Sequence, residues 1–416
     1  MDFSRVQLTQ SQRALIEEVH EFIDTYVTED VIREDRRTGD LFNESVHQGL
    51  GQRGWIMPAW PVERGGAGLD RLSAGILNLE LLKAQTPLAI TNVTRNVATA
   101  LEQWASPELR VEVLPRVADG SVRLCLGYTE PDGGSDIASA KTRAQREGDD
   151  WVISGSKIFT SGAQVAHYSF LLARTDVAAP KHKGLTMFLV PLSSPGVEIH
   201  PIFTYGGERT NSVFYGDVRI PDRYRLGEVN EGWFVLRGPL DREHSVETEV
   251  EARQIDDLSA GTWYARALGR ALDTAVDWAN ETIREDGSRP IDDRTVSWRL
   301  GQVAVDLQVA LVTPGPFGRV HCSDILVHGA AELVDLLSPE SLISQGSVDE
   351  LKNGIVEYTH RFAQSSGTQG GTVEVFRAMI ASQMLGLPRP TYPGSKNFLG
   401  SKRRDDEDDV SRARSA

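Results

Sequence analysis

The hydrophobic period changes twice along these 416 residues, and that constrains the fold more than any other feature. Early apolar residues recur at helical spacing, in Ala14-Leu15-Ile16, Val19 and Phe22-Ile23 and again in Leu72, Ile76-Leu77, Leu79 and Leu81-Leu82. Between them, Trp60-Pro61-Val62-Glu63-Arg64-Gly65-Gly66-Ala67-Gly68 is too rich in glycine and proline to be anything but a loop. From about Arg123 to Glu228 the pattern becomes short β-rich runs: Trp151-Val152-Ile153, Ser169-Phe170-Leu171-Leu172-Ala173, Thr186-Met187-Phe188-Leu189-Val190 and Val197-Glu198-Ile199. Glu147-Gly148-Asp149-Asp150 and Ser194-Pro195-Gly196 punctuate these runs as turns. From Gly232 the helical period returns through Leu268, Leu272 and Val276, then Leu300, Val303, Leu307 and Leu311, and finally Val375, Met379 and Met384.

Two changes of period predict an α+β multidomain chain. A helical domain spans 1–120, a β domain 121–230 and a second helical domain 231–388, with 389–416 as a charged, flexible tail. Length agrees, because single cores stop growing at about 250–300 residues. No apolar run approaches the roughly 18–20 residues of a membrane span. The start, MDFSRVQLTQSQ, lacks a secretory pattern, so a cytoplasmic protein without a membrane span is expected. A net charge of −15 argues against nucleic acid, which needs a basic face. Cys125 and Cys322 match neither a metal nor a redox spacing and read as free core thiols.

The most informative stretch is Tyr128-Thr129-Glu130-Pro131-Asp132-Gly133-Gly134-Ser135-Asp136, which opens the β domain. Its hydroxyls and paired glycines can bring polar groups close to a flavin edge or a pyrophosphate, although a surface turn looks the same in isolation. Trp151-Val152-Ile153-Ser154-Gly155-Ser156-Lys157-Ile158-Phe159-Thr160-Ser161-Gly162 follows downstream. Together the two runs closely resemble the acyl-CoA dehydrogenase family. The resemblance covers most of residues 1–390 and includes the Trp60–Gly68 loop and a closing run, Gly370-Gly371-Thr372-Val373-Glu374-Val375, leading to Leu385-Gly386-Leu387-Pro388-Arg389.

That resemblance implies a helical domain, a β-barrel and a C-terminal four-helix bundle, with FAD between barrel and bundle. By motif position, Tyr128, Thr129, Gly134 and Ser135 line the cofactor, with Thr129 on the ring and Ser135 toward the pyrophosphate or CoA. Phe159 packs against the ring, Ser161 bonds its edge, and Thr372 and Glu374 approach the nucleotide from the closing run. The implied substrate is an acyl-CoA and the implied electron acceptor an electron-transfer flavoprotein.

The reaction needs a carboxylate to remove a weakly acidic α-proton. Many family members carry it immediately before Gly-Thr in the closing run, where this chain has Gly370. Gly370 retains only a backbone N–H, the family's donor to the thioester oxygen. A minority, including relatives resembling isovaleryl-CoA and bacterial steroid-CoA dehydrogenases, supplies the base from a Leu-Asp-x-Glu run early in the C-terminal domain. The matching run is Leu240-Asp241-Arg242-Glu243-His244, so Glu243 is the expected base. Homotetrameric members lend a neighbour's FAD an Arg-x-x-Phe-Gly-x-Pro segment. Here Arg284 is kept, but Gly287 and Ser288 replace the Phe-Gly, and Leu333–Glu340 lacks the Gly-Gly segment that completes the half-site. The imbalance points to a heterotetramer with a related subunit, with a homo-oligomer as the alternative. A flavin monooxygenase or oxidase, or a non-catalytic scaffolding subunit, are the competing functions.

Overall fold

A computed structural model describes residues 8–236, 260–313 and 315–388. Six helices come first: α1 (Gln10–Tyr26), α2 (Glu29–Thr38), α3 (Glu44–Gln52), α4 (Arg71–Lys83), α5 (Ala89–Trp104) and α6 (Pro107–Ala118). Their starts are written locally. Thr9 and Gln12 form a reciprocal capping box on α1, Asp70 accepts the Ser73 N–H at 2.9 Å to begin α4, and Ser106 followed by Pro107 opens α6. The Trp60–Gly68 segment is a loop holding one short 3₁₀ turn, and the Trp60 indole N–H donates to Glu102 on α5.

Eight strands make one sheet: β1 (Leu124–Gly127), β2 (Arg143–Glu147), β3 (Asp150–Lys157), β4 (Tyr168–Arg174), β5 (Leu185–Pro191), β6 (Val197–Phe203), β7 (Arg209–Pro221) and β8 (Arg225–Leu226). The order is β6-β7-β3-β2-β4-β5-β8, with β1 parallel to β4. β4 and β5 are buried along almost their whole length, which is why they read as unbroken apolar runs. The N-terminal helices and the sheet share one core, in which Val97, Ala98 and Leu101 of α5 and Leu124 of β1 take part. The Thr94 hydroxyl pins this seam by accepting the Leu124 N–H at 3.0 Å. Cys125 and Cys322 are buried free thiols, as the sequence predicts.

The C-terminal part comprises α7 (Ala260–Glu281), α8 (Arg294–Val312), α9 (Gly315–Leu336), α10 (Ile355–Ala363) and α11 (Val373–Met379), extended by one π turn to Met384. α7 to α10 pack together around a second core of Leu268, Leu300, Val303, Leu307, Leu326 and Phe362. The expected bundle is therefore present. Two elements carried no signal in the sequence. β7 runs for 13 residues, yet its Thr-Asn-Ser and Gly-Asp interruptions hide its alternation. α9 fills the gap left between the periodic runs and includes Leu333–Leu336, with a turn through Ser338-Pro339 beyond it. The expected tail, 389–416, lies outside the described residues.

Candidate active site

The first motif leaves β1 and is set on a buried ion pair. Glu130 and Gly133 exchange backbone hydrogen bonds at 3.0 and 3.2 Å, closing the turn. Beneath it the Glu130 carboxylate accepts from the backbone N–H groups of Lys141 (2.6 Å) and Thr142 (2.9 Å) and from Lys157 Nζ (2.8 Å). Lys157 also donates to the Tyr128 carbonyl at 3.2 Å. The lysine is wholly buried and the glutamate 7% exposed. Burial alone would raise the glutamic acid, but the ammonium and the N–H donors outweigh it and hold its pKa below the usual value. Burial pulls Lys157 down to about 8 against the opposing pull of Glu130.

Lys157 ends β3, and the next residue joins the second motif to the first: Ile158 N–H donates to the Thr129 carbonyl at 2.9 Å. Phe159 then takes a left-handed backbone, φ +58°, with its ring 60% exposed. A bulky residue held in that region costs about 1–3 kcal/mol. Thr160 is fixed by Asn211 of β7, which accepts the Thr160 N–H at 3.0 Å and returns a side-chain donor to its carbonyl at 2.9 Å. The Thr160 hydroxyl is buried with no hydrogen-bond partner among the described residues. Ser161 is half-buried, and Gly162, φ +73°, lies so close to Ile90 of α5 that a Cβ would come within 2.2 Å of its Cδ1. Gly134 sits beside the Thr129 methyl, with Gly134 and Ser135 both exposed. Tyr128, Thr129, Gly134, Phe159 and Ser161 thus lie on linked loops at one end of the sheet.

The closing motif is a tight turn. Gly370 and Gly371 both have positive φ, +58° and +92°, which glycine adopts without a Cβ penalty. Buried Arg319 of α9 clamps the turn by donating to the carbonyls of Ser366 (2.9 Å), Gln369 (2.7 Å) and Gly371 (3.2 Å). Its guanidinium also lies over the Tyr264 and Phe376 rings. Thr372 caps α11 by accepting the Val375 N–H at 3.3 Å. Glu374 is exposed in the first turn of that helix, where backbone N–H donation, then the Thr372 hydroxyl, lowers its pKa. The Gln369 amide donates to Glu208, three residues before the Asn211 that holds Thr160, so the start of β7 ties the closing turn to the sheet-end loops. Arg284 lies in a turn after α7, where it exchanges backbone hydrogen bonds with Gly287 and Ser288 and sits 3.8 Å from Asp293. Glu243 lies outside the described residues.

Glu130, Lys157, Asn211 and Arg319 were not singled out by sequence reasoning. Lys157 did leave a signal. Counted by twos from Trp151 and Ile153, position 157 falls on the inward face despite the exposed Gly155 at the strand's irregularity, and a lysine on an inward face calls for a carboxylate partner.

Comparison with known proteins decides the family. Residues 9–121 match the model for the acyl-CoA dehydrogenase N-terminal domain, and residues 125–218 that for its middle domain. The acyl-CoA dehydrogenase FadE29 of Mycobacterium tuberculosis is 33% identical over 404 residues, 92% of this chain and 99% of its own. The chain belongs to the acyl-CoA dehydrogenase family. The ChsE4-ChsE5 complex from Mycobacterium tuberculosis holds a chain of the same fold, 29% identical, with TM-score 0.79 over 93% of this chain and 100% of its own. The Tcur3481-Tcur3483 steroid ACAD gives TM-score 0.79 at 27% identity, again over 93% of this chain and 100% of its own. Acyl-CoA dehydrogenation is the chemistry named for these relatives. No described helix is long and apolar enough to cross a membrane.

Proposed function

We propose that the chain binds FAD against its sheet-end loops and dehydrogenates an acyl-CoA at the α,β position. The observation that carries this is Phe159. An aromatic ring held in a left-handed backbone and left 60% exposed is unfavourable twice over within the chain, and a flat ligand ring beside it would offset both costs. The buried Thr160 hydroxyl without a described partner, the half-buried Ser161 and the backbone of Thr129 lie next to it. When bound, FAD supplies the hydride acceptor. Glu243 would take the α-proton, the Gly370 N–H would donate to the thioester oxygen, and Thr372 and Glu374 would face the nucleotide. Electrons then pass to an electron-transfer flavoprotein.

Thr129→Val combined with Ser161→Ala should weaken flavin retention, because two polar contacts are lost at about 0.5–1.5 kcal/mol each. Flavin quantitation after dialysis, with the visible spectrum, checks it. Unchanged affinity and spectrum would reduce these residues to sheet structure.

The working assembly is a heterotetramer with a related subunit acting on a bulky or steroid acyl-CoA. α8 exposes Trp298 (65%), Val305, Val309 and Val312 along one face, an apolar stripe that a second chain would cover. Two similar structures are two-component complexes, one of them a steroid ACAD. Arg284 would reach the neighbour's FAD, while Gly287 offers it no ring. Native mass measurement with flavin counting should find fewer flavins than chains. A stable, active homotetramer with one FAD per chain would rule the heteromer out.

A further inference from the structure

We infer that Glu208 and Gln369 are positioning residues, whose hydrogen bond sets the closing turn, and with it the Gly370 N–H, at a fixed place relative to the flavin loops; this rests on the acyl-CoA reading. The Gln369 amide donates to the Glu208 carboxylate. Among the described residues no other hydrogen bond joins the turn, 365–372, to the β domain. Gly370 follows Gln369 directly and is partly exposed, and its N–H has no acceptor among the described residues, which leaves it free to donate to a ligand.

Both ends of the bond are held. On the turn side, the Gln369 carbonyl accepts from Arg319 at 2.7 Å and its N–H donates to the Ser365 carbonyl at 3.2 Å. The Tyr264 hydroxyl donates to the Gln369 side-chain oxygen at 3.4 Å, which turns the amide nitrogen toward Glu208. On the sheet side, Glu208 closes the β6–β7 turn, its carbonyl accepting the Thr204 N–H at 3.0 Å. That turn is wedged between two helices. The Arg209 N–H donates to the Gly39 carbonyl at the end of α2 (2.8 Å), and a Cβ on Gly39 would come within 2.0 Å of the Gly207 oxygen. From α10, Arg361 pairs with Glu357 at 2.6 Å and donates to the Tyr205 carbonyl at 3.3 Å.

Three residues beyond Glu208, Asn211 holds the Thr160 backbone. One short stretch of β7 therefore supports the loop after Phe159 and the turn before Gly370 together. A shift of about 1 Å between such groups can cost about 10²-fold in rate. Burial raises the Glu208 pKa, the Gln369 amide opposes it, and the Asp35 charge adds to the rise. A carboxyl in that setting acts chiefly as a hydrogen-bond acceptor, a role the isosteric amide oxygen of glutamine can fill.

The test uses the FAD-loaded protein, with any companion subunit it requires, mixed anaerobically with acyl-CoA. Glu208→Ala and Gln369→Ala should each slow flavin reduction at saturating thioester about 10–100-fold, with flavin content unchanged and a much smaller change in the acyl-CoA dissociation constant. The double variant should be no slower than either single one, and Glu208→Gln should recover most of the rate. Rates like the parent's in both alanine variants, additive losses, or a loss that Glu208→Gln does not restore would overturn the assignment. Hydrogen–deuterium exchange of the peptide 366–373 gives a reading without substrate. It should accelerate in Glu208→Ala but not in Glu208→Gln, and unchanged exchange in Glu208→Ala also counts against the bond. If no thioester reduces even the parent, the acyl-CoA reading fails and exchange alone decides. Should Glu208→Ala not fold, Gln369→Ala removes the same bond from the turn side and is read in the same two ways.

Discussion

Glu243→Gln is expected to leave FAD bound while slowing its reduction by acyl-CoA about 10²–10⁴-fold, the scale of a lost general base. The usual base position is Gly370, which has no side chain to titrate. Its φ of +58° makes replacement there unfavourable as well, since an L-residue in that region costs roughly 1–2 kcal/mol. Gly370→Glu is therefore not expected to restore activity to the Glu243→Gln protein. Rapid mixing of each oxidised, FAD-loaded variant with substrate, followed by flavin absorbance, separates binding from chemistry. A near-normal rate in Glu243→Gln would move the base elsewhere.

The second large effect is structural. Lys157→Met leaves the Glu130 carboxylate buried without its cation and should destabilise the protein by about 3–5 kcal/mol, the usual consequence of breaking one side of a buried pair. Flavin retention should fall with it, because Lys157 also holds the Tyr128 carbonyl and so the loop carrying Thr129. The double variant Glu130→Gln with Lys157→Met removes both charges and should recover much of the loss. Urea unfolding monitored by tryptophan fluorescence checks both. Single and double variants within about 1 kcal/mol of the parent would mean the pair is not the support described.

How far the sequence carries depends on which force shapes each element. β4 and β5 are legible because burial on both faces leaves continuous apolar runs, Phe170–Ala173 and Met187–Val190. The α7 and α8 periods show directly in Leu268, Leu272, Leu300, Val303 and Leu307. β7 escapes notice because pairing with β3 and β6, rather than its own composition, makes it a strand. The two site motifs are legible as strings, and the structure adds why they meet: the Ile158 N–H bond to Thr129 and the Glu130–Lys157 pair beneath it. Arg319 was invisible, since a lone arginine in α9 gives no hint that the Gly370 turn folds onto it. Thr372 shows a local role in capping α11 alongside the cofactor contact proposed for it.

The most direct test of the account is anaerobic titration of the FAD-loaded protein, with any companion subunit it requires, by acyl-CoA thioesters including a steroid side-chain thioester. The account predicts stoichiometric loss of the oxidised-flavin band, with the matching enoyl-CoA recovered and no need for a nicotinamide or oxygen. A flavin that stays oxidised with every thioester yet is reduced by NADH or NADPH would contradict it and place the chain among the monooxygenases of the same fold.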